Sequence, residues 1–205
     1  MSDTLRLVLV RHGQTTANAE GILDTRLPGQ PLTEEGHRQA GELAQRLAGE
    51  PVVAVYASHA LRAQQTARPV AARHGLVAQI LAGVHEVFIG DLEGGRTPEA
   101  HRVLHELYSA WHSGDLAAAR PGGESGKQVL DRYLAGVAAI RSAHRRGAVV
   151  LVSHGAAIRL AVVALAANVD GAFAGPRYLA NAAAVLLEAD GAGWRCLRWD
   201  DIELS

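Results

Sequence analysis

The 205-residue sequence predicts an α/β fold built on a mostly parallel sheet, and three observations carry that expectation. Short apolar runs rich in β-branched residues alternate with longer segments whose apolar positions recur at helical spacing. Four of the runs are each followed closely by a charged or titratable side chain. No repeat, linker or low-complexity tract interrupts the alternation, and the length suits one domain with a sizeable core.

Taken in order, Leu5 to Val10 reads as a buried strand running into Arg11-His12-Gly13-Gln14-Thr15 and on to Asn18. Thr33 is placed to cap a helix, with Glu34 and Glu35 in the first turn where the helix dipole favours negative charge. Ala40, Leu43, Ala44 and Leu47 then share one face. Val52 to Ala57 is a second strand, ending at Ser58. The helix after it starts near His59, carries Arg62 and buries Ala63, Ala67, Val70 and Ala71. Pro69 is expected to bend or weaken that helix, and Gly75 to end it. Val77 to Leu81 reads as another strand of the group, leading to Glu86. Leu130, Tyr133, Leu134, Val137 and Ile140 stripe a long helix starting around Ser125. Ala148 to Val152 is a strand delivering Ser153-His154-Gly155, followed by an apolar helix from Ala156 to Ala167. Ala183 to Leu187 and Trp194 to Trp199 form a late hairpin around Asp190-Gly191.

If those strands are parallel neighbours, Arg11, His12, Arg62, Glu86 and His154 converge at one sheet edge. Open α/β sheets bind ligands at the carboxyl ends of their strands. Two guanidiniums suit a phosphoryl group, because the planar fork matches phosphate oxygens and cannot lose its charge. A neutral imidazole can attack phosphorus, and a carboxyl group can protonate a departing alkoxide.

Composition narrows the partners. The chain is 48% hydrophobic and 20% charged, ordinary for a globular protein, and its net charge of -1 gives no reason to propose nucleic acid or an anionic membrane. The single cysteine, Cys196, excludes an internal disulfide and fits a reducing, cytoplasmic setting. The chain enters its first strand almost at once, leaving no room for a signal peptide. Its longest apolar helix is too short for a bilayer.

The motifs identify a resemblance. Arg11-His12-Gly13-Gln14-Thr15, Leu32-Thr33-Glu34-Glu35-Gly36, Ser58 through Arg62-Ala63-Gln64-Gln65-Thr66-Ala67, Glu86 through Gly90-Asp91-Leu92-Glu93-Gly94, Gly122-Gly123-Glu124-Ser125 and Ser153-His154-Gly155 stand in the order of the histidine phosphatase superfamily, also called phosphoglycerate mutase-like. The match covers about Leu5 to Leu187. The resemblance implies a single domain over 1–205, a three-layer sandwich, with 96–120 as a lid or specificity insertion. It implies that His12 becomes a transient phosphohistidine, that Arg11, Arg62 and His154 clamp the phosphoryl group, and that Glu86 is the proton donor and then the base. Thr15, Asn18 and Gly155 fall at substrate-binding positions. No metal or other cofactor is implied, because the side chains supply the positive charge. His12 must attack as the neutral base, so its other ring nitrogen should be fixed by a hydrogen bond.

The implied activity is metal-independent hydrolysis of a small phosphomonoester, in the phosphatase branch. Three departures argue against the alternative, a cofactor-dependent phosphoglycerate mutase. Ala17 stands where the mutases carry Trp, Val87-Phe88-Ile89-Gly90 follows the catalytic Glu instead of Arg-His-Tyr-Gly, and Gly95-Arg96 replaces Asn-Lys. Phe88 and Ile89 are expected to make the pocket more apolar. A non-catalytic phosphate-ester-binding module is a third reading, but no core residue is missing. Dimers are common in the family, which leaves a homodimer open.

Other residues weigh less. Arg159 is expected to make a structural ion pair, and Arg26 and Gln30 to be solvated loop residues. His101, His105, Tyr108 and His112 share one helical face, as a substrate-facing lid, a metal site or a solvated surface. Their spacing fits no zinc-protease pattern. Gly122 to Lys127 is no phosphate loop, since Pro121 occupies the first glycine's place and Gln128 that of the hydroxyl residue.

Overall fold

A computed structural model describes residues 4–204; residues 1–3 and 205, and with them part of the expectation about a leader, lie outside it. Strand β1 (Leu5–Arg11) lies at the centre, parallel to β4 (Gly147–Ser153), with Arg11 opposite Ser153. On the far side of β4 lies β2 (Val52–Ala57), also parallel, with Ala57 opposite Val152. A short β3 (Gln79–Ile80) ends that flank. On the other side of β1, the hairpin β5 (Ala184–Asp190) and β6 (Gly193–Trp199) pairs antiparallel, followed by β7 (Ile202–Glu203). The order is β3-β2-β4-β1-β5-β6-β7, so the parallel half of the sheet carries an antiparallel extension.

Alternation along β1 builds the three layers. Leu5, Leu7 and Leu9 face one core, shared with Val149 and Leu151 and covered by α5 (Gly126–Ala143) and α6 (Gly155–Leu165). Val8 and Val10 face the other, with Val55, Val150 and Val152, under α2 (Glu34–Arg46) and α3 (Leu61–Arg73). Thr33 caps α2 as expected, its side chain accepting from Gly36 N–H. Gly36 is required there: a Cβ would stand 2.1 Å from Gln14 O, so the helix start presses against the loop that carries His12. Two shorter helices precede and follow these, α1 (Thr16–Ala19) and α7 (Gly171–Ala174), and α4 (Pro98–His112) spans the expected insertion.

Two sequence expectations are corrected, for the Val77 to Leu81 run and for the α5 stripe. The Val77 to Leu81 run yields only the two-residue β3 at the sheet edge, where Val77 is 83% exposed and only Ala78 and Leu81 pack against the core. Pro69 lies inside α3, which continues to Arg73 and stops before Gly75, as expected, where φ is +68°. On α5 the buried stripe is Val129, Tyr133, Val137 and Ile140 with Gly136, while Leu130 is only half-buried and Leu134 likewise. Gly136 takes part because Val84 packs against its bare backbone.

Candidate active site

The register delivers the chemistry. Because Arg11 is paired with Ser153 and Ala57 with Val152, the residues that follow these strands leave the sheet side by side at one edge. The backbone confirms it: His12 N–H donates to Ser153 O, and Ser58 N–H to Val152 O. A cavity of about 260 Å³ opens there, lined by Arg11, His12, Thr15, Asn18, Arg62, Glu86 and Gly155 among others. His154 stands behind its wall, fully buried, with its ring centroid 5.2 Å from that of His12. All the sequence-selected site residues but His154 therefore line one space, and His154 packs beside His12 behind it.

His12 is buried, and its Nδ1 lies 2.8 Å from Gly13 O. Burial, then the charges of Arg62 and Arg11, hold its pKa well below that of free imidazole. The neutral ring donates Nδ1–H to the carbonyl and leaves Nε2 with its lone pair, the tautomer the sequence reading required. Gly13 is held in turn, its N–H donating to Thr66 Oγ1 at 3.0 Å.

The guanidiniums are anchored differently. Arg62, 2% exposed, is held by Asp24, through a carboxylate contact of 3.4 Å and the Asp24 carbonyl at 3.2 Å. Gly29 makes room for it: a Cβ there would stand 2.0 Å from Nη1. Arg11 donates to Leu179 O at 2.7 Å and lies 4.7 Å from the Tyr178 ring centroid. Gly155 lets this side chain pass, since an added Cβ would meet Arg11 Cδ at 3.2 Å.

His154 Nε2 is 2.7 Å from Ser58 Oγ, and that oxygen already accepts from Ala60 N–H at 3.3 Å. Its pKa is lowered by burial and then by Arg62, so the ring is neutral. In the tautomer that accepts the Ser58 proton at Nε2, the ring carries its own proton on Nδ1. That nitrogen is buried and has no partner among the described residues.

Glu86 accepts from Val87 N–H at 3.0 Å and, across the chain, from Ala156 and Ala157 N–H at 3.3 and 3.1 Å. The carboxylate thus caps α6, whose own N-cap residue, His154, provides no side-chain cap. The loop that carries Glu86 is held by Arg132, which donates to Gly83 O, His85 O and Glu86 O and forks onto the Glu124 carboxylate at 2.7 and 2.8 Å. Glu124 also accepts from Phe88 N–H at 2.9 Å.

Thr15 and Asn18 close a reciprocal capping box at the start of α1. Asn181 donates to Asn18 Oδ1 at 3.1 Å and to His12 O at 3.1 Å, which leaves the Asn18 amide N–H groups for the cavity. Sequence reasoning passed over Asp24, Asn181 and Arg132. Asp24 and Asn181 lie in loops without periodicity, and Arg132 looks like any charge on a helix.

Further expectations change. Arg159 makes no ion pair with any described carboxylate; it lines the cavity and donates to the carbonyls of Ala174 and Gly175. Phe88 and Ile89 do not line this cavity; Ile22, Leu23, Leu104 and Leu179 supply its apolar wall. Phe88 instead stacks on His85, with centroids 4.8 Å apart. The α4 face divides: His101 and Tyr108 line the cavity, whereas His105 and His112 line a separate one beside α7. Arg26 and Gln30 are exposed, as expected. Among the described residues no group of three or more His, Cys, Asp or Glu side chains is placed to hold a metal ion, and no helix is long and apolar enough to cross a membrane.

A neutral imidazole set between guanidiniums at the carboxyl edge of a parallel sheet suits the handling of a phosphoryl group. Comparison with known proteins agrees: residues 7–202 match the histidine phosphatase superfamily (branch 1), and the chain belongs to it. It is similar to phosphoglycerate mutase-like protein 4 of Arabidopsis thaliana, 34% identical over 160 residues, 77% of this chain and 69% of that one. The metal-independent phosphoserine phosphatase of Arabidopsis thaliana is 35% identical over 161 residues, 77% of this chain and 67% of that one. Among solved structures, mycobacterial glucosyl-3-phosphoglycerate phosphatase superposes with a TM-score of 0.82 at 27% identity, covering 96% of this chain and 99% of the other.

Proposed function

We propose that this protein is a metal-independent phosphatase that hydrolyses a small phosphomonoester through a phosphohistidine at His12. The observation that carries the reading is the His12 imidazole, neutral and locked by Gly13 O, between Arg11 and Arg62. The phosphoryl group sits between the two guanidiniums, with Asn18 and His154 Nδ1–H donating to its oxygens. His12 Nε2 forms a bond to phosphorus as the P–O bond to the alcohol breaks, and Glu86, having taken up the proton of the bound ester monoanion, gives it to the departing oxygen. Water then attacks phosphorus and loses a proton to Glu86. The P–N bond breaks, inorganic phosphate leaves and His12 is neutral again. Positive charge and positioning, the main needs of phosphoryl transfer, come from side chains. The insertion at 96–120, through α4, covers the seat and selects the ester.

The relatives named above include phosphatases, which supports hydrolysis, and a mutase-like protein, which keeps phosphate exchange as the competing outcome. The test is phosphate release from a panel of phosphomonoesters in excess chelator, by wild type and His12→Ala. Release by wild type alone is expected. Release sustained by the variant, or phosphate exchange between phosphoglycerates in place of release, overturns the reading.

A further inference from the structure

Arg159 sits one helical turn after Gly155 on α6, 8% exposed, in the cavity wall. Burying a guanidinium without a counter-charge is costly, so such groups are normally paired. Arg62 has Asp24 and Arg132 has Glu124. Arg11 and Arg159 have no carboxylate partner among the described residues, and both line the same cavity. Arg11 is explained by the phosphoryl group. Arg159 is not.

Its fork is half used. Nε donates to Ala174 O at 3.2 Å and Nη2 to Gly175 O, which fixes the plane of the group, while Nη1 makes no hydrogen bond. Tyr108 lines the same wall, and its hydroxyl makes no hydrogen bond among the described residues. Glu86, Tyr108 and Tyr178 are near enough to favour its charged form, against the effect of burial. Glu86 marks the side of the cavity where the alcohol departs. An immobilised guanidinium beside that point, with free N–H groups and a neighbouring hydroxyl, matches a planar anion with two acceptor oxygens.

We propose that Arg159, assisted by Tyr108, binds a carboxylate on the leaving group, so that the preferred substrate is the phosphate ester of a small hydroxy acid. A carboxylate fits better than a second phosphate because two of the fork's positions are already occupied and the whole cavity is only about 260 Å³. This inference rests on the phosphatase reading above.

Two matched pairs of esters test it: O-phosphoserine against O-phosphoethanolamine, and 3-phosphoglycerate against glycerol 3-phosphate, with p-nitrophenyl phosphate as a general reporter. Wild type should favour the carboxylate member of each pair at least tenfold in kcat/KM. In Arg159→Gln the ratio should collapse to within about threefold, mainly through KM of the carboxylate ester, with Arg159→Lys in between. Equal use of both members by wild type overturns the proposal without any variant, so a misfolded Arg159→Gln cannot protect it. An equal loss on all esters in Arg159→Gln, in protein with an unchanged circular dichroism spectrum, also overturns it. No release from any ester, p-nitrophenyl phosphate included, overturns the phosphatase reading and this inference with it.

Discussion

Ser58 Oγ lies 2.7 Å from His154 Nε2, and this contact bears on which nitrogen of the buried His154 ring carries its proton. The serine oxygen accepts from Ala60 N–H and has its own proton to give to Nε2, which favours the Nδ1–H tautomer. Removing the hydroxyl frees the neutral ring to take the other tautomer. Ser58→Ala should lower kcat/KM about tenfold, in line with the ~0.5–1.5 kcal/mol of a single hydrogen bond. The imidazole ¹⁵N shifts of His154 should show an Nδ1–H tautomer in wild type and a mixture in the variant. An unchanged spectrum removes the positioning role.

Glu86 joins two jobs, since the carboxylate proposed as acid also caps α6. Glu86→Gln keeps an amide oxygen for the cap but cannot deliver the proton. Its melting temperature should stay within a few degrees of wild type. Turnover of an alkyl phosphate should fall by roughly 10²–10⁴, the usual weight of general acid–base catalysis. The loss on p-nitrophenyl phosphate, whose leaving group needs little help, should be far smaller. Equal losses on both esters contradict the assignment.

Arg132 reaches no part of the cavity lining, yet it ties three carbonyls of the Glu86 loop to Glu124. Both side chains of the pair are largely buried. Arg132→Ala strands the Glu124 charge, and such a cut costs about 3–5 kcal/mol. For a domain of this size that corresponds to a drop in Tm of roughly 6–20 °C. Calorimetry checks it, and a shift below about 3 °C excludes a central holding role.

These supports explain what the sequence showed and what it hid. Strands β1, β2 and β4 were legible because each is a short apolar run; Arg11 ends β1, and His12, Ser58 and His154 follow the strands directly. Gly75 and the Asp190-Gly191 turn were legible from backbone freedom alone. Val77 to Leu81 misled because apolar content does not reveal which strand ends a sheet. Arg159 misled because helical spacing places it near Gly155 without saying whether a carboxylate awaits it. Asp24, Asn181 and Arg132 act across 38, 169 and 46 to 49 positions of chain, and local pattern carries no signal at that range.

Acid should weaken the fold. Burial lowers the pKa of His12 and His154 well below the free value of about 6.5, and takes His85 and His112 to about 4. Below pH ~6.5 the unfolded chain binds protons that the native imidazoles refuse. Their contribution is complete above that pH and is lost as pH falls toward the native values. Tm should decline steadily between pH 7 and 4.5, and His85→Gln should flatten the slope. A Tm constant over that range contradicts the neutral assignment. Initial rates, by contrast, should show no loss near pH 6.5 from protonation of His12.

The most direct test of the central claim is to capture the phosphoenzyme. Wild type mixed with a ³²P-labelled ester in excess chelator and quenched within milliseconds should carry label that is lost in acid and kept in alkali. Peptide mapping should place that label on His12, and His12→Ala should take up none. Label on another residue, or full ester hydrolysis by wild type with no labelled protein at any quench time, would contradict the account.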